Sequence, residues 1–128
     1  MQDYQRKKNN PFFLPRTLYR RVMSVIRDYD RQIEEVDEIL FGTAHSDVTV
    51  SGGIAGKPTE AMAIRLSKYA RDIDAVEKAI EKIPSEYQAG VFDNVRYGKR
   101  FPDTAHYNTW LRWKQKFIYL VAQNLDLI

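Results

Sequence analysis

Two long segments of the chain repeat apolar side chains at alternating steps of four and three residues. Val22, Ile26, Tyr29, Ile33, Val36 and Leu40 keep this rhythm in the first segment. Met62, Leu66, Tyr69, Ile73, Val76, Ile80 and Ile83 keep it in the second. An α-helix turns once in ~3.6 residues, so each set falls on one stripe, a seam of the kind that packs against another helix. The first helix is predicted to start near Pro15–Thr17 and to end at Gly42, a suitable residue past a helix C-terminus. The second is predicted to begin at Pro58 and to stop before Pro84, since proline suits the first turn and disfavours helix before it. Two seams of similar length pair most simply as an antiparallel hairpin, or with a second copy of the chain.

The stretch between them, TAHSDVTVSGGIAGK (Thr43–Lys57), is small, polar and rich in glycine, and reads as a flexible linker. Its DVTVSGGIAGKPTE has the outline of a phosphate-binding loop, but the spacing fails. The first required glycine falls on Ser51, and the hydroxyl that would bind Mg²⁺ falls on Pro58. No nucleotide or other cofactor is therefore expected.

A third helix is predicted over SEYQAGVFDNVRY, with Ser85 as a capping-type residue and Tyr87, Val91, Phe92 and Val95 as its apolar stripe. Gly98 and Pro102 then break the chain, with room for about one helical turn around Pro102–His106. A fourth helix closes the sequence, with Asn108 or Thr109 expected at its N-cap.

That last helix mixes tryptophan with clustered cations. At ~100° per residue, Trp110, Trp113, Phe117, Ile118, Leu120, Val121 and Leu125 share one broad arc, and Arg112, Gln115, Lys116, Tyr119 and Gln123 the opposite one. Lys114 falls inside the apolar arc. A buried lysine is costly, so its place predicts that the first two turns project from the protein body. Unpaired N–H groups and the helix dipole at the same end suit a phosphate.

Charge sharpens the picture. Residues 1–31 hold eight Lys/Arg against three acids, residues 32–60 one against six, and residues 95–128 six against two. Basic ends around an acidic middle suit either an anionic partner met at the termini or a solvated charged surface. The absence of cysteine excludes disulfides, and with only His45 and His106 no zinc site is expected. Glu34, Glu35, Asp37 and Glu38 read as a solvated acidic face before a metal site. No apolar run nears the ~18–20 residues of a membrane span, and MQDYQRKKNN lacks a secretory core. A cytoplasmic protein without a membrane partner is expected. Asp103, His106 and Tyr107 lack any definable catalytic spacing, so the chain is not expected to be an enzyme.

Motifs point the same way. DIDAVEKAIEKIPSEYQAGVFDNVRY resembles the start of the promoter-reading C-terminal region of bacterial sigma factors, with Ile83, Pro84, Ser85, Glu86, Tyr87 and Arg96-Tyr97 in the matching places. NTWLRWKQKFIYLVAQNL resembles the recognition helix of phage late-gene activators of the RinA type and of ArpU-like phage regulators. Pro58, Thr59, Ala63 and Ile64 match the second-helix pattern of those proteins. In one respect the chain departs from them: only Gly98–Asn108 separates Tyr97 from Thr109, where sigma-type domains hold a full scaffold helix.

The resemblance implies a sequence-specific regulator of phage or prophage transcription, an activator of late genes, working in the bacterial cytoplasm. It implies double-stranded DNA as partner and RNA polymerase as a second, while a homo-oligomer is the arrangement in which the two seams pair with a second copy of the chain. The expected fold is all-α, a long helical hairpin followed by an abbreviated C-terminal helix-turn-helix. Its parts are a basic arm (1–15), a long amphipathic helix (16–42), the linker (43–57) and a helical DNA-binding domain (58–128). Lys99, Arg100, Asn108, Thr109, Arg112, Lys114 and Lys116 are the expected DNA contacts, with Arg112, Lys114 and Lys116 on phosphates. A small terminase-like packaging subunit and a helical protein–protein adaptor are the alternatives.

Overall fold

The computed structural model describes Gln5, Lys7 and residues 9–42 and 59–128, so the linker and Pro58 lie outside the described residues. The described chain is all-helical: α1 Arg16–Arg27, α2 Tyr29–Phe41, α3 Glu60–Glu81, α4 Ser85–Tyr97 and α5 Tyr107–Asn124.

The predicted single helix over 16–42 is two helices. Asp28 (φ −90°, ψ 1°) ends α1 and begins α2. Its N–H is shared between the carbonyls of Ser24 (3.0 Å) and Val25 (3.2 Å), the tightened geometry of a closing turn. Its carboxylate is held by the Arg31 guanidinium in two 2.7 Å bonds. The apolar rhythm passes through this break undisturbed, so periodicity alone gave no sign of it. What divides the helix is its two partners, since α1 packs on α4 and α5 while α2 packs on α3.

Helices α2 and α3 run antiparallel: Tyr29 Oη donates to Glu77 Oε2 (2.6 Å), and one turn on Gln32 Nε2 donates to Asp72 Oδ2 (3.3 Å). Thr59 caps α3 through Oγ1, which accepts the Met62 N–H at 3.1 Å. The helix thus begins at Glu60, later than the predicted Pro58.

Helix α5 is the centre of the molecule and packs against α1, α3 and α4. Trp110, Phe117, Ile118, Val121 and Ala122 meet Val22, Met23 and Ile26 from α1, Val76 and Ala79 from α3, and Val91 and Val95 from α4. The N-terminal arm joins them. Leu14 is fully buried and its backbone is clamped by the Gln5 amide (2.8 and 2.9 Å), while Phe12 lies 5.4 Å from the Tyr119 ring.

Of the two termini of α4, the first differs from expectation and the second agrees with it. Ser85 is the first residue of α4, with Pro84 at the N-cap, and it makes no capping bond. Gly98 (φ 73°) ends α4 in the left-handed conformation that glycine tolerates best. The connection to α5 holds no helical turn at Pro102–His106, only a tight turn at Asp103–Thr104. Helix α4 itself stands before the turn, where sigma-type domains hold a separate scaffold helix.

Candidate nucleic-acid interface

The first two turns of α5 do not project. Trp110 and Lys114 are 1% and 8% exposed. The Trp110 ring stacks on Phe101 (5.5 Å, 11°) and meets Tyr87 edge-on (4.9 Å, 83°), so aromatic packing from α4 and the connecting turn draws this end into the core. Lys114 lies one turn on along the same stripe, between the cavity beside Phe101 and Trp110 and a small pocket lined by Gln5, Tyr19 and Ile118. The inference that a lysine in the apolar arc marks a projecting helix end is therefore corrected. The stem satisfies the apolar arc, as long cationic side chains do when they lie along a packed surface.

The predicted contacts separate into three groups. Lys99, Arg100, Asn108 and Arg112 are exposed. Thr109 and Lys116 are half-buried, and Lys116 Nζ sits 5.6 Å from the Trp113 ring centroid as a cation–π partner. Lys114 is buried. Of the three residues expected on phosphates, Arg112 alone stands in solvent.

Two grooves flank these turns. On the side of the connecting turn a cavity of about 360 Å³ is lined by Asn94, Arg100, Phe101, Asp103, Tyr107 and Trp110 among others. On the side of the arm a groove of about 330 Å³ is lined by Asn9, Pro11, Phe12, Asn108, Arg112 and Gln115. Arg100 thus marks one flank of α5 and Arg112 the other, with exposed Tyr107 beside Arg100. The arm's part in the Arg112 groove and the exposed ring of Tyr107 were missed by the sequence reading. Periodicity cannot show a segment folding back over a helix, although the apolar Phe12-Phe13-Leu14 in a basic arm is its one signal.

The helix N-terminus is less open to an anion than its dipole suggests. His106, and not Asn108 or Thr109, is the N-cap. Its Nδ1 accepts the Asn108 N–H at 3.0 Å, and its carbonyl accepts the Thr109 N–H at 2.9 Å. These N–H groups are therefore already paired within the chain, and an incoming phosphate meets the dipole more than free donors.

Arg96 and Tyr97, at the sigma-like positions, bind α4 to α2 instead. Arg96 Nη1 is 2.8 Å from Asp30 Oδ1, and Tyr97 Oη donates to Asp30 Oδ2. The Arg96 guanidinium lies 3.8 Å over the Phe92 ring, so it is fixed on both sides. Asp30 raises the Tyr97 phenol by accepting its proton in that bond. Burial, then the bond to Glu77, push Tyr29 up to about 12. The hydrogen bond from Arg31 holds Asp28 below its ordinary value. These shifts belong to the joints of the fold and none falls in the α5 grooves.

Among the described residues no cluster of three His, Asp or Glu side chains has the arrangement of a metal site, and no helix is long and apolar enough to cross a membrane. No protein family matches the chain, and no curated protein or solved structure does.

Proposed function

We propose that the protein is a DNA-binding transcriptional regulator of the phage late-gene type, reading double-stranded DNA with the two flanks of α5. The observation that carries this reading is the exposure of Lys99, Arg100 and Arg112 on either side of one helix N-terminus that the core holds rigidly. A helix end with cations on both flanks can meet phosphates on the two sides of a groove, and phosphate contacts fix register on a duplex. Exposed Asn108 and half-buried Thr109, in the first turn, are the side chains nearest to base edges. The RinA-like and sigma-like motifs support the same assignment, with RNA polymerase and a phage or prophage setting as what they imply.

Titration of DNA flanking the gene with the purified chain tests it. Binding that tightens as salt is lowered is expected, and so is its loss when Lys99, Arg100 and Arg112 are all replaced by Glu. No retardation of that DNA at low salt would end the proposal.

A further inference from the structure

The cavity on the connecting-turn side of α5 has the size, walls and charge of a small-molecule site. Its volume of about 360 Å³ falls within the ~300–1,000 Å³ of such sites. Three aromatic rings line it. Phe101 lies flat against Trp110 (11°), and Tyr107 packs 5.7 Å from Phe101 with its own side 61% exposed. Its charges are two cations and one acid, Arg100, Lys114 and Asp103.

Burial weights these charges unequally. Lys114 is 8% exposed, so water screens its field weakly, whereas Asp103 is exposed and well screened. Exposed Arg100 adds a planar guanidinium, which can meet a carboxylate through two N–H donors. The lining residues also carry an unused donor and an unused acceptor. Trp110 Nε1 and Asn94 Oδ1 are buried, and among the described residues neither has a hydrogen-bond partner. Such groups are costly to leave unpaired, and a small shift of either side chain towards a bound polar group relieves the cost.

We propose that this cavity binds a small aromatic carboxylate, its ring against Tyr107 and Phe101 and its charge met by Arg100 and Lys114. An inorganic anion leaves the aromatic wall without a role, and a neutral ring leaves the cations without one. Asp103 offsets one of the two cations, which favours a ligand with a single negative charge over a phosphate ester. Arg100 also enters the DNA reading, but this inference does not rest on that reading and its test contains no DNA.

Chemical-shift titration of the full chain with benzoate and phenylacetate, each beside its neutral amide, tests it. At least one of the acids is expected to bind with a Kd below about 1 mM and to shift the Trp110 indole N–H resonance, and its amide to bind about tenfold more weakly or worse. Arg100→Ala and Lys114→Met are each expected to weaken binding of that acid about tenfold, while Arg16→Ala, which removes an exposed cation outside the lining, leaves it unchanged. Arg100 is exposed, so its variant keeps the fold even where Lys114→Met does not. No binding of either acid up to about 10 mM, amides that bind as tightly as the acids, inorganic phosphate that competes equally well, or an Arg100→Ala protein that binds like the parent would overturn the proposal.

Discussion

Gly90 of α4 faces the Trp110 indole of α5 so closely that a Cβ on Gly90 would stand 2.6 Å from Cζ3. The same Cβ would lie 3.1 Å from Pro102 Cδ, in the connection between the helices. Phe101 lies flat on the ring and Tyr87 meets it edge-on, so the indole cannot retreat on those sides. This packing, and not the α5 cap, sets where the first turn of α5 sits. The exposed cations on its flanks inherit their positions from it.

Replacing Gly90 by Ala is expected to destabilise the protein, although alanine is the better helix former. Propensity favours alanine by about 1 kcal/mol in a helix interior. Overpacking a close-packed site costs about 1–3 kcal/mol, and a ring confined on two sides puts this site at the upper end. A net loss of about 1–2 kcal/mol is expected from urea unfolding. Ala89→Gly, one residue away and exposed, calibrates the propensity effect alone. A Gly90→Ala midpoint above that of the parent would contradict the packing argument.

The all-α class and the helix faces were legible because period and burial are the same constraint seen twice. Val22, Ile26, Val76, Phe117 and Val121 read as core and are core. The break at Asp28 was not legible, since the seam keeps its phase across it and only the choice of partner changes. At α5 the pattern recognised the apolar arc but misjudged Lys114 inside it. A lysine contributes an apolar stem as well as a charge, and a one-letter pattern records only the charge. The Arg112 groove stayed hidden for another reason: its second wall is a segment roughly 100 residues distant in sequence, brought there by Leu14 and Phe12.

Stability at high pH is expected to depend on Tyr29. Its phenol titrates at 10.0 when free and at about 12 in the fold, because burial and the bond to Glu77 favour the neutral form. Below the free value both states hold the proton and the stabilisation is complete. Between the two values the unfolded chain loses the proton that the folded chain keeps, so stability falls as pH rises through this window. Tyr29→Phe should cost stability near neutral pH, and its deficit against the parent should shrink as pH rises above about 10. Thermal unfolding of both proteins at a series of pH values measures this, and a deficit constant up to pH 12 would rule it out. The acid limb has the opposite sign. The lowered Asp28 contributes stability above its ordinary 3.8 that is lost as pH falls through its folded value.

Lys114 and Arg112 are expected to behave differently towards DNA, although they stand two residues apart in one helix. Arg112 is exposed in the groove beside the arm, whereas Lys114 is 8% exposed in the stripe that joins Trp110 to Phe117. Each phosphate contact contributes about 0.9 to the slope of log affinity against log salt. Arg112→Ala should therefore reduce that slope by about 0.9, and Lys99→Ala and Arg100→Ala each by a similar amount. Lys114→Met keeps an unbranched stem of similar length and removes the charge, so the slope should stay at the parent value. Fluorescence anisotropy titrations at four or five salt concentrations resolve the two cases, with urea unfolding of the same variants to separate binding from folding. A slope reduced in Lys114→Met as much as in Arg112→Ala would mean that this side chain leaves the core to meet the duplex, and the rigid-helix account of the interface would then fail.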